Sequence, residues 1–200
     1  LMGFWFVYDT LCKTLGRQPQ GERWLMGVLL LLVAFLCWLT NHLYAGRAAF
    51  VIMGATLATT MSANVFFCII PGQRKVVNAL TSGQPWDEKA LAVYGQLGKQ
   101  RSVHNTYFTL PVLFAMLANH EGLLVNRPQR WLLLFLMMLA GVLIRQFFVQ
   151  KHSWHLGKSS HPWPYGVAGV ALIVSLVLAL WPASSTAQSE TQTPVTFQDV

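Results

Sequence analysis

Polar side chains are scarce in this chain, and those set in apolar sequence fall into a few groups. Thr56, Thr60 and Asn64 recur every fourth residue, so on a helix they share one face. Such a stripe either glues helices together, at about 0.6 kcal/mol per hydrogen bond in a membrane, or lines a pocket or path. Asn64 is favoured for a functional role because it lies near the Gln73-Arg74 end of the same apolar run. Arg74, Lys75, Lys99 and Arg101 flank that end. Membrane orientation suffices to explain Lys75 and Lys99. A guanidinium suits an anionic substrate better, because its planar fork donates paired hydrogen bonds. Gln73, Gln100 and Asn105 add neutral amides that suit the edge of a planar heterocycle.

The histidines fall at two levels. His104 opens an apolar run and His120 closes it; sixteen residues at helical rise separate them by about 24 Å. His42 ends another run and is expected at the level of His120, with His152 and His155 near that of His104. Two histidines at one depth on neighbouring helices can ligate haem b axially. Solvated interface histidines are the plainer alternative, and His161 before Pro162 reads as a loop residue. Arg145, inside an apolar run but near its end, can snorkel to the interface. Cys12, Cys37 and Cys68 are scattered without a C-x-x-C pair, so they read as small apolar fillers.

These residues must be carried by membrane helices. The chain is 54% hydrophobic and only 10% charged, against about 25% charged in ordinary soluble domains. The fold expected is all-α, a polytopic transmembrane bundle with about five spans, near residues 24–41, 48–70, 103–119, 130–149 and 165–181. Leu1–Tyr8 reads as the tail of a helix and Asp9–Arg23 as a polar loop. Pro71-Gly72 is expected to stop the second span. Gln73–Ser102 is then a long loop with short interfacial helices near 76–80 and 88–97, separated by Gly83-Gln84-Pro85. Pro111 falls inside the third span, where it frees a carbonyl.

The net charge of +7 sits in short loops between apolar runs, and no nucleic-acid-binding motif accompanies it. Orientation explains it better. Ten Lys and Arg residues fall on one side of the five spans, in the loop before the first span, the long loop and the His-rich loop; Arg47, Arg127 and Arg130 fall on the other. The positive-inside rule makes the first side cytoplasmic and the carboxy-terminal tail external. Residues 183–195, rich in Ser, Thr, Gln and Ala, have linker composition, and Thr196–Val200 reads as the start of something new. The apolar opening at Leu1 suggests an internal piece of a longer protein.

Several stretches resemble the membrane domain of the bacterial cytochrome c-linked urate oxidase (urate hydroxylase) family. They are Ala45-Gly46-Arg47-Ala48-Ala49-Phe50, Met61–Phe67, Ile70–Val77, Gly98–Phe114 and Asn119-His120. The resemblance implies that residues 1–182 are a transmembrane urate oxidase domain lacking about three front spans. It further implies that 196–200 begin a cytochrome c domain bearing c-type haem, and that the protein sits in the bacterial inner membrane with its tail in the periplasm. Urate would be oxidised to 5-hydroxyisourate and its electrons passed to the cytochrome. His104, Arg101 and Asn105 become candidate catalytic residues; Asn64, Gln73, Arg74 and Gln100 become candidate urate-binding residues. His42, His120 and His104 remain possible ligands of a haem b. Two other classes stay open: a transporter or channel for a purine or other small anion, and a non-catalytic membrane anchor for the cytochrome.

Overall fold

The computed structural model describes residues 1–17, 21–82, 87–155, 157 and 161–180, and within them all regular structure is helical. Helix α1 spans Met2–Thr14 and is followed by a 3₁₀ turn, Leu15–Arg17. Helices α2 (Gly21–Leu43) and α3 (Gly46–Asn64) are joined at Gly46, whose φ of 40° is a conformation that suits glycine. A π-helical turn, Val65–Ile69, leads into α4 (Ile70–Thr81). Then come α5 (Glu88–Ala118), the short α6 (Gly122–Val125), α7 (Arg130–His155) and α8 (Trp163–Leu180). Four stretches are long and apolar enough to cross a membrane: Arg23–Leu43, Gly46–Thr81, Arg130–Lys151 and Trp163–Leu180.

The fifth expected span, 103–119, is not among those four. It forms the second half of α5, where His104, Asn105, Thr106 and Thr109 dilute the apolar residues. Helix α5 packs against α3, α4 and α7, so its polar face meets protein instead of lipid. Pro111 lies within it without ending it. On the facing helix, Gly141 leaves room for the proline: a Cβ there would lie 3.3 Å from Pro111 Cδ.

Three expectations need correction. Asp9–Thr14 is not loop, because α1 runs on to Thr14 and buries Phe4, Trp5, Tyr8, Asp9 and Cys12. Pro71-Gly72 does not stop the second span. Proline cannot donate to the carbonyl four residues back and its ring crowds that carbonyl. The π-helical turn immediately before it accommodates the misfit, since widening a helix by one residue shifts the ladder register. The region 73–102 is therefore mostly helix, as α4 and the first half of α5, whose start is capped by Asp87 accepting from the Lys89 amide at 2.9 Å. Helix α7 also outruns its expected end at 149 and carries His152 and His155. The Gly83-Gln84-Pro85 break, the linker 183–195 and residues 196–200 lie outside the described residues.

The buried core gathers Tyr8, Cys12, Leu25, Phe50, Met53, Leu57, Leu134 and Met138. At the far end, Arg130 donates to the side chain and backbone oxygens of Asn41, at 3.1 and 3.2 Å. That tie places a cation at the carbonyl end of α2, where the helix dipole favours it.

Close packing of α7 on α8 rests on Gly169, where a Cβ would meet Ile144 Cγ1 at 2.9 Å and the Ile144 backbone nitrogen at 3.2 Å. Gly169→Ala is expected to destabilise the protein by about 1–3 kcal/mol through overpacking. Gly95→Ala, with nothing within 4 Å, is expected to be neutral or slightly stabilising. Denaturation of the two variants in detergent checks the contrast; equal stabilities would contradict it.

Candidate functional site

The polar centre of the molecule is built where α1, α3 and α5 meet. On α5, Arg101, His104 and Asn105 lie three and four residues apart and so share one face. On α1, Trp5, Tyr8, Asp9 and Cys12 do the same. Asn64 ends α3 between them and is fully buried.

Asp9 and Arg101 form a buried ion pair at 2.6 Å, with Arg101 only 2% exposed. The same Arg101 nitrogen, Nη2, also donates to the Asp9 backbone oxygen at 3.4 Å. The guanidinium carbon lies 4.8 Å from the centre of the Tyr8 ring, within cation–π range. The second Asp9 oxygen pairs with Lys13 at 2.6 Å, and Lys13 extends toward the surface. Replacing a buried pair with apolar residues is often harmless, whereas removing one partner costs about 3–5 kcal/mol. The pair therefore argues for fixed placement of Arg101 more than for stability.

A hydrogen-bonded chain runs alongside. The Trp5 indole N–H donates to Asn64 Oδ1 at 3.3 Å. An indole N–H can only donate, which fixes the orientation of the Asn64 amide. Asn64 Nδ2 then donates to Asn105 Oδ1 at 2.9 Å and to the Tyr8 hydroxyl oxygen at 3.2 Å. Asn105 completes its own amide by donating to the Met61 carbonyl at 3.0 Å. The Tyr8 oxygen lies 2.8 Å from His104 Nδ1. In the arrangement we assign, Tyr8 gives its one proton to His104 Nδ1, which leaves the proton of a neutral His104 on Nε2; Cys12 Sγ lies 3.8 Å from the same Nδ1.

Two side-chain nitrogens of this cluster remain buried without a partner: Arg101 Nη1 and His104 Nε2. Buried donors are normally satisfied, so such exceptions call for an explanation. They are the two groups here with unused capacity to hold a ligand.

The other predicted residues lie elsewhere. Thr56 and Thr60 are buried, but each hydroxyl donates to a carbonyl one turn back in its own helix, at 2.7 and 2.9 Å. Gln73 lines a separate cleft of about 270 Å³ with Tyr94, Lys99 and Ser102, between α4 and the first half of α5. Arg74 is exposed. Gln100 packs against Gly16, where an added Cβ would meet its Nε2 at 2.6 Å. The single mouth expected from sequence is thus two places on opposite faces of α5. Sequence reasoning missed Trp5, Tyr8 and Asp9. The i, i+3, i+4 spacing of these residues within an apolar stretch was the available signal.

Haem was tested against the same geometry. His42 and His120 are both exposed, and His42 stacks on Trp38 with ring centres 5.5 Å apart. His104 lies sixteen residues before His120, on the helix that ends just short of it, which separates them by about 24 Å. The cleft beside His104 measures about 60 Å³. A single haem cannot be ligated by both His104 and His120 across that distance. Among the described residues, no cluster of three His, Cys, Asp or Glu side chains could hold a metal ion.

Residues 1–180 match the family described as urate oxidase N-terminal. The chain belongs to that family. No curated protein and no solved structure matches it. Among the described residues, the α1–α3–α5 cluster combines a buried ion pair with two buried, unpartnered nitrogens.

Removing Asp9 leaves Arg101 buried without its counter-ion, so Asp9→Ala is expected to cost about 3–5 kcal/mol. Asp9→Ala combined with Arg101→Met is expected to restore much of that loss. Unfolding titrations of both check the prediction; a double variant no better than the single would contradict it.

Proposed function

We propose that this chain is the membrane-embedded part of a urate oxidase that converts urate to 5-hydroxyisourate and passes the electrons to cytochrome c. Family membership supports urate as substrate. The observation that carries the reading is the buried, unpartnered donor Arg101 Nη1, on a guanidinium held in place by Asp9. Electrostatic stabilisation of this kind works best where donors are fixed in advance and water is excluded.

In this reading Arg101 Nη1 holds an oxygen of the urate anion, while Asp9 keeps the guanidinium from turning away. Asn64 and Asn105 set the spacing of the site through their mutual hydrogen bond. The Gln73 cleft, with Lys99 and Ser102, serves as the approach from the basic, cytoplasmic side. The overall reaction consumes urate and one water and releases two electrons and two protons, forming one C–O bond. Tyr8 and His104 share a hydrogen bond beside the reacting centre and are placed to relay a proton. The electrons leave toward a cytochrome c on the periplasmic face of a bacterial inner membrane. The charge bias of the loops supports that orientation.

Urate-dependent reduction of cytochrome c by the full-length protein tests this. His104→Gln, and Arg101→Gln paired with Asp9→Asn to keep the site neutral, are each expected to lower turnover by about 100-fold or more. Undiminished rates in both variants would contradict the assignment. Urate flux across vesicles without cytochrome reduction would favour transport instead.

A further inference from the structure

His104 also lines a second feature that urate oxidation leaves unused. It is a cleft of about 60 Å³ among α2, α3, α5 and α7, lined by Met26, Leu30, Leu57, Phe108, Met138 and Val142 among others. His104 and Tyr107 are its titratable side chains; the Tyr107 hydroxyl donates to Gln146, whereas His104, 3% exposed, has no partner for Nε2. Met26 and Leu30 are exposed, so the cleft opens on the outward side of α2. Arg23–Leu43, which carries both, is apolar enough to span the membrane, so that side faces lipid.

Urate does not suit this place. Its several carbonyl and N–H groups would find only His104 and a Tyr107 hydroxyl already engaged with Gln146, and each one left unpaired costs about 1–3 kcal/mol. The cleft calls for a lipid-soluble molecule that is apolar over most of its surface and ends in one hydrogen-bond acceptor. The Nε2–H tautomer assigned from the Trp5–Asn64–Tyr8 chain supplies the matching donor. We propose that this cleft is a site for a lipid-soluble quinone, seated with one carbonyl edge against His104 Nε2 and the remainder of the ring and tail between Met26 and Leu30 in the bilayer. The enclosed volume suits a carbonyl edge, and the open side accommodates the rest.

The placement also makes chemical sense. A quinone takes up two electrons and two protons to become a quinol, the number that urate and one water release on forming 5-hydroxyisourate. His104 can give its Nε2 proton to one reduced carbonyl while Tyr8 passes its own proton to Nδ1; of the two protons urate oxidation releases, one restores Tyr8 and the other goes to the second carbonyl. The quinone would then be a second electron acceptor beside cytochrome c. Electron transfer to it rests on the urate reading given above; binding in the cleft does not.

The test uses the full-length protein in lipid nanodiscs, with decylubiquinone as probe and decylbenzene as a tail-bearing control without carbonyls. Saturable binding is expected, with decylubiquinone preferred by about tenfold, the worth of one buried hydrogen bond. His104→Phe is expected to erase that preference. Leu30→Trp, at an exposed position that tolerates a large side chain, is expected to weaken decylubiquinone binding by about tenfold while leaving cytochrome c reduction unchanged. Equal affinity for the two probes, or binding indifferent to Leu30→Trp, would overturn the site. Urate-dependent cytochrome c reduction that persists alongside absent quinone binding overturns this proposal alone. Carbonyl-selective, Leu30-sensitive binding in a protein that reduces nothing with urate upholds the site and overturns the urate reading instead.

Discussion

The buried ion pair between Asp9 and Arg101 is the constraint on which the rest of the centre depends. Two charges withdrawn from water are tolerated only when they meet, so α1 must lie against α5 at one register. That register sets Tyr8 beside His104, and Trp5 beside Asn64. Arg101 lies across the Tyr8 ring, so the pair and the neutral network share a wall. Lys13 tethers the second carboxylate oxygen from the surface, leaving Asp9 no freedom to swing. Burial of this order on an uncharged background gives the site a low effective dielectric, where each remaining donor acts more strongly than in water.

From that constraint the hydrogen-bond order follows in one direction. A donor-only indole orients an amide; the amide occupies a hydroxyl oxygen; the hydroxyl proton goes to the imidazole. The donor-only indole forces the first step; the last is the assignment in which Tyr8 donates to His104 Nδ1. The outcome is a histidine whose proton points away from the network, and an arginine with one nitrogen to spare. The family match ties the chain to the urate oxidases, and four of its stretches are long and apolar enough to cross a membrane.

Much of this was legible in the sequence. The apolar runs announced a helical membrane protein, and Asn64, Arg101, His104 and Asn105 were singled out and do meet in one cluster. Two kinds of information were hidden. Proline at position 71 reads as a stop, because nothing in composition reveals that a π-helical turn can absorb it. The error cut α4 from α3 and turned the first half of α5 into loop. Asp9 likewise reads as the end of an apolar segment, since its partner lies 92 residues away. Long-range charge pairing leaves no local trace, so α1 looked like a remnant when it supplies a third of the site. Gln73, Arg74 and Gln100 were grouped with Arg101 by proximity in sequence. Helical phase separates them: residues 98, 99, 102 and 103 face the α4 cleft, whereas 101, 104 and 105 face α1 and α3.

The central claim is that one chain of hydrogen bonds, starting at Trp5, fixes the proton of His104 on Nε2. Nitrogen-15 solid-state NMR of the histidine-labelled full-length protein in lipid reads that directly, with His104→Gln identifying the resonance. The account predicts a neutral imidazole carrying its proton on Nε2, and a shift of that signal in Trp5→Phe, where the Asn64 amide loses its orienting donor. A proton on Nδ1, or a spectrum unmoved by Trp5→Phe, would contradict it.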